Sequence, residues 1–115
     1  MMSRELLIGI GIFILAHIIV WFQLNGQFFS EWFKSNNFIL ALFGVPISYL
    51  YIWGTKYCYE GFGGLIWPGR FIGFACGMVI FAAFTSFIMG EGITAKTGLS
   101  LILAVALVGI QIFWK

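Results

Sequence analysis

Long apolar runs alternate with short polar ones along this chain. The runs cover about 6–24, 38–55, 65–89 and 97–114, the third opening at either Gly63 or Pro68, and nearly all charged residues fall between them. Each run reaches the roughly 17–25 residues that a helix rising 1.5 Å per residue needs to cross about 30 Å of hydrocarbon. Backbone polar groups find no partners in lipid, so runs of this length form helices. Alternating segments of about ten residues, which a β-barrel would need, are absent. The pattern predicts an all-α integral membrane protein: one domain over 1–115, with four transmembrane helices and short loops.

The connections carry their own signals. Between the first two runs, Phe28, Phe29, Trp32 and Phe33 recur at helical spacing while Glu31 and Lys34 can face water. This predicts a turn or two of helix in the headgroup layer. Trp32, Trp53, Trp67 and Trp114 fall near expected span ends, where amphipathic rings favour the interface. The first run is long for a signal-peptide core, and Gln23-Leu24-Asn25-Gly26-Gln27 behind it offers no small-x-small cleavage site, so it is read as a retained helix.

Composition agrees. The 115 residues are 62% hydrophobic and 9% charged, against about 25% charged in soluble domains. A formal charge of +2 with no basic stripe excludes a nucleic-acid surface. Cys58 and Cys76 lie outside any CxxC or His-rich context, so neither a metal site nor a disulfide framework is expected. No Ser-His-Asp set or carboxylate pair occurs, so neither catalytic residues nor a cofactor are expected, and an enzyme is not the expected class. Gly90-Glu91-Gly92-Ile93-Thr94-Ala95-Lys96-Thr97 nearly matches a phosphate-binding loop, but a short link between membrane helices lacks the preceding strand that such a loop needs.

The candidate site residues sit inside or at the ends of the runs. His17 is the one titratable group in the middle of the first, where ionisable side chains are costly and face protein or a watery cavity. It is either a neutral imidazole bonded to a neighbouring helix or a ligand-contacting, proton-carrying group. Trp21 lies one turn on along the same face, and Asn25 two turns on. Gly44, Ser48, Tyr51 and Thr55 form a small-and-polar stripe facing either another helix or a cavity. Pro46 within it predicts a bend. Gly69, Gly73 and Gly77 make two consecutive GxxxG steps, the strongest packing signal in the chain, and Gly44 and Gly98 are further small positions for helix packing. Pro68 suits a first helical turn. If the helix starts there, Arg70 snorkels to the headgroups; if it starts near Gly63, Arg70 is a buried functional charge, and Trp67 stands beside it.

Three stretches carry a family resemblance. "ILAHII" (14–19) is similar to the region where small multidrug resistance proteins, four-helix members of the drug/metabolite transporter superfamily, carry a membrane-embedded glutamate, with His17 in its place. "LIWPGRF" (65–71) resembles their Trp-Ser-Gly-x-Gly run, and "FIMGEGITAKTGLSLILAVALVGIQI" (87–112) resembles the superfamily's Gly-Glu turn and final helix. The resemblance implies an antiparallel homodimer in the cell (inner) membrane, with a substrate cavity among the first three helices and dimer contact through the fourth. The departures narrow this. His17 removes the anion that attracts organic cations, Phe71 and Val105 stand where glycines would, and the third span is about six residues longer, as in a divergent branch. The expected function is a small transporter-like protein for a neutral or anionic small molecule, with His17, Trp21, Asn25, Ser48, Tyr51, Trp67 and Arg70 as candidate contacts. The alternative is a non-transporting accessory subunit or a holin-like pore former.

Four spans place both termini on one side, with Arg4, Lys56, Lys115 and, as a flank, Arg70, against Lys34 and Lys96 opposite. This small excess predicts cytoplasmic termini or insertion both ways. Labelling of single cysteines near Met1 and Lys34 in intact cells checks it: the Met1 site should be protected, or both sites partly labelled. Complete external labelling near Met1 contradicts it.

Overall fold

The computed structural model describes residues 4–114, so Lys115 and the first three residues lie outside the described part. Six helices follow one another: α1 (Arg4–Asn25), α2 (Glu31–Ser35), α3 (Asn37–Leu42), α4 (Gly44–Gly61), α5 (Trp67–Ile88) and α6 (Ala95–Phe113). A 3-10 turn, Gly26–Phe28, extends α1, and no strand occurs among the described residues. Four segments are long and apolar enough to cross a membrane: Arg4–Phe28, Asn37–Gly61, Trp67–Ile88 and Ala95–Phe113. The chain is a multi-pass membrane protein with an all-α fold.

The second span joins α3 to α4 across Phe43, which keeps helical dihedrals (φ −65°, ψ −14°). Pro46 explains the joint. Lacking an N–H, it cannot bond the Leu42 carbonyl, and its ring crowds that same carbonyl. Phe43 N–H accordingly turns to Leu40 O at 3.1 Å, and Gln23 Nε2 donates to the same Leu40 oxygen at 2.9 Å, tying the end of α1 to the bend.

Helix α4 runs six residues past the expected end at Thr55, through Lys56 to Gly61. It stops where Gly63 adopts φ +69°, a left-handed conformation that glycine adopts without a Cβ penalty. Gly64 N–H bonds Tyr59 O (2.8 Å) and Gly63 N–H bonds Glu60 O (3.2 Å), the paired bonds that satisfy a helix's last carbonyls. Lys56 did not mark the span end, because a long side chain can reach outward from the last turns of a helix. Trp53 therefore lies about 12 Å from the end of α4 rather than at it.

The other ends shift less. α5 starts at Trp67 with Pro68 in its first turn, so Arg70 is exposed near the helix start rather than deep in the span. Thr94 caps α6 by accepting from Thr97 N–H at 3.3 Å. In the first connection, only Glu31–Ser35 is α-helical. Trp32, Phe28 and Phe29 are exposed, Phe29 with one face stacked on Trp21, while Phe33 packs inward over Gly26.

α1 is the central helix, packed most extensively on α4 and next on α5, while α6 contacts chiefly α5. Pairings of Leu6 with Gly61, Phe13 with Gly54 and His17 with Tyr51 make α4 antiparallel to α1. Pairings of Phe13 with Gly73, His17 with Gly77 and Trp21 with Thr85 make α5 parallel to it. The buried centre is small: Leu6, Phe13, Cys58 and Cys76, flanked by Ile10, Tyr51, Phe62 and Ile72.

Close backbone approach holds this centre. A Cβ on Gly61 would fall 2.8 Å from Leu6 N, and one on Gly9 would fall 2.7 Å from Cys58 Sγ and 3.0 Å from Cys58 N. Gly69 faces Cys58, Gly73 the Phe13 ring and Gly77 the His17 ring. Gly44 and Gly98, also expected in helix contacts, make none within the chain. A Cβ at Gly44 would meet nothing within 4 Å, and one at Gly98 would meet only Ile93 beside it.

These distances set a stability order. Gly61→Ala and Gly9→Ala press a methyl onto backbone atoms of a neighbouring helix and should each cost about 1–3 kcal/mol. Gly11→Ala, in open space, should be neutral or gain up to about 1 kcal/mol of helix propensity. Thermal unfolding in detergent measures all three, and an equal Tm for Gly61→Ala and Gly11→Ala would contradict the packing.

Candidate functional site

α4 and α5 touch each other far less than either touches α1, which leaves a cleft between them with α1 as its floor. The cavity there holds about 800 Å³, within the range of small-molecule sites. Phe13 and His17 line it from α1, and Tyr51, Thr55 and Tyr59 from α4. α5 supplies the third wall with Trp67, Arg70, Phe71, Gly73, Phe74, Gly77, Met78 and Phe81, and Leu65 and Ile66 form the lip before it. One end of the cavity lies at the α4–α5 turn, where Tyr59, Leu65, Ile66 and Trp67 line it.

His17 is positioned by absence on one side and a bond on the other. A Cβ at Gly77 would fall 2.8 Å from the imidazole Cε1, so glycine alone lets the ring lie against α5. On the α4 side, His17 Nδ1 and the Tyr51 hydroxyl are hydrogen-bonded at 3.3 Å, with the rings edge to face at 5.5 Å. A neutral imidazole completes this bond in either tautomer, donating to the phenol oxygen or accepting from it. No buried side-chain polar atom among the described residues lacks a partner.

Of the seven expected contacts, His17, Tyr51, Trp67 and Arg70 come together on the cavity, and Trp21, Asn25 and Ser48 do not. Trp21 is 3% exposed. Its indole N–H donates to Thr85 Oγ1 at 3.1 Å, and its ring meets Phe22, Phe29 and Phe84. One helical turn from His17 thus leads into an aromatic plug rather than the cavity. Asn25 bonds back to Trp21 O at 3.1 Å and closes the end of α1. Ser48 is exposed on α4 away from the cleft. The stripe of small and polar residues therefore splits, with Tyr51 and Thr55 lining the cavity and Gly44 and Ser48 outside it.

Residue-by-residue reading overlooked the aromatic wall. Phe13, Phe71, Phe74 and Phe81 look like ordinary span residues and Tyr59 like a loop residue, and only their convergence marks them. A faint signal existed for Phe74 and Phe81, which follow Trp67 and Arg70 at helical spacing on one face of α5. Among the described residues, no three His, Cys, Asp or Glu side chains gather where a metal could sit.

No family model, curated protein or solved structure matches this chain. Nothing in those comparisons identifies a drug/metabolite transporter family.

The plug gives a direct check. Thr85→Val keeps the side-chain shape but leaves the Trp21 indole N–H unpaired in an apolar setting, costing about 0.6–2 kcal/mol. A lowered Tm in detergent with altered indole emission is the expected result, and an unchanged Tm would place the Trp21–Thr85 bond outside the folded state.

Proposed function

We propose that this protein is a small transporter-like membrane protein that binds a neutral or anionic small molecule in the α1–α4–α5 cavity. One observation carries the proposal: a cavity of about 800 Å³ in a membrane protein, largely apolar, lined by His17, Tyr51 and Arg70 and by no carboxylate. Such a lining repels an organic cation at Arg70 and offers it no counter-charge. A neutral solute can hydrogen-bond to the His17–Tyr51 pair, and an anion gains from the guanidinium.

The assembly belongs to the same proposal. α6 has no buried residue and contacts chiefly α5, which leaves its apolar faces free for a second copy in a homodimer, antiparallel if the chain inserts both ways. The cell (inner) membrane is the proposed location, with the Arg70 end of the cavity on the side of Arg4 and Lys56, the face with more basic residues.

Reconstitution into liposomes tests the function. Saturable flux of a neutral or anionic solute is the expected result, and non-selective dye leakage would favour a pore instead. Protonation of His17 adds positive charge to the cavity, so uptake of an anion should rise several-fold as pH falls from about 7.5 to 5. His17→Gln keeps hydrogen bonding but cannot charge, and should flatten that profile while the protein still folds. An unchanged profile in the variant would make His17 a packing residue.

A further inference from the structure

Arg70 is the one formally charged side chain, among the described residues, that lines the cavity. Its place is not explained by the helix that carries it, because a cation in a first turn faces the positive end of the macrodipole. No described carboxylate shares the lining. Trp67, just before it, is 70% exposed and stands at the start of a membrane span, where indole rings mark headgroup depth. The guanidinium thus sits at headgroup depth, at the α4–α5-turn end of a cleft leading down into the span.

Below it the wall is apolar. From Arg70 to Gly77, where the His17 ring rests, α5 descends seven residues, or about 10 Å, past Phe71, Gly73 and Phe74. Phe13 faces them from α1. At the lower end His17 and Tyr51 bond each other, so an apolar guest reaching that depth strands neither group. Phe81, deeper still, lines the same cavity and is 50% exposed. An exposed lining residue at that depth lets an apolar chain reach the cleft from the surrounding hydrocarbon.

We propose that the cavity takes a single-chain amphiphilic anion of the bilayer, a fatty-acid-like carboxylate, with its head on Arg70 and its chain along α5 toward His17. This rests on the binding role proposed for the cavity and narrows its ligand. The chain leaves lipid for an equally apolar cleft, so its burial contributes little preference. The discrimination comes from the guanidinium–carboxylate pair, whose two parallel N–H···O bonds are charge-assisted. A short soluble anion can make that pair but leaves the apolar cleft unfilled, and a cation with the same chain fills the cleft but is repelled at Arg70.

Equilibrium binding of radiolabelled laurate to the protein in phosphatidylcholine nanodiscs tests this, with acetate and dodecyltrimethylammonium as competitors. The expected result is saturable laurate binding that neither competitor displaces. Arg70→Gln should weaken it at least about tenfold, and Arg70→Lys should restore part of the loss. Gly73→Leu, which fills the wall below Arg70, should reduce laurate binding, with circular dichroism confirming that the variant is folded. Displacement by acetate would point to a soluble anion and overturn the proposal, as would displacement by dodecyltrimethylammonium. Laurate affinity unchanged in Arg70→Gln, or no saturable binding at all, would also overturn it. Saturable, His17-dependent flux of another solute would then leave the broader role of the cavity standing, and its absence would remove both.

Discussion

The close approach of α1 and α4 around Cys58 is the constraint on which the rest of the structure depends. Helices in a bilayer gain little from hiding apolar surface, since lipid tails are as apolar as leucine, so they associate through dispersion and close contact. Gly9, Gly54 and Gly61 provide that contact. Gly54 receives the Phe13 ring, Gly61 receives the Leu6 backbone, and Gly9 receives Cys58, which is fully buried. With α4 held this tightly to one side of α1, α5 is left the other side, and its glycines meet Cys58, Phe13 and His17 in turn. The cleft is the space between two helices that share a floor but barely touch.

That geometry accounts for the chemistry of the cleft. Phe13 is both a packing residue, seated on Gly54, and part of the cavity wall, so the packing centre and the site are one continuous structure. His17 is oriented by a glycine that makes room for it and by a tyrosine that bonds it, which is a fixed arrangement for a titratable group in an apolar setting. Arg70 needs no such support because it stands at the start of α5, near water. The far half of α1 is closed by a different device, in which Trp21 spends its N–H on Thr85 and its ring on three phenylalanines. The middle of the helix thus floors the cleft, and its C-terminal part is packed into an aromatic cluster.

The second span shows how local rules and tertiary contacts divide the outcome. Pro46 makes the bend, and its site is readable from residue identity, because the missing N–H and the crowded Leu42 carbonyl are properties of the proline itself. Where the span ends is a different matter. Lys56 looked like a boundary, yet the helix continues until Gly63 can turn the chain left-handed, and those added turns bring Cys58 to Gly9 and Tyr59 to the cavity.

By itself the sequence determined the four spans, the helical class, the bend at Pro46 and the first-turn role of Pro68, because hydrocarbon thickness and backbone hydrogen bonding act on each segment alone. It also marked His17, Tyr51, Trp67 and Arg70 as residues whose polarity a membrane span must accommodate. Only the tertiary structure decided that these four share a cavity while Trp21, Asn25 and Ser48 do not. A helix places residues on a face by angle, but which neighbour covers that face depends on where backbones can approach. Gly69, Gly73 and Gly77 announced such approach by their spacing. Gly9, Gly54 and Gly61 did not, since none of them belongs to a GxxxG step, and their partners lie on another helix.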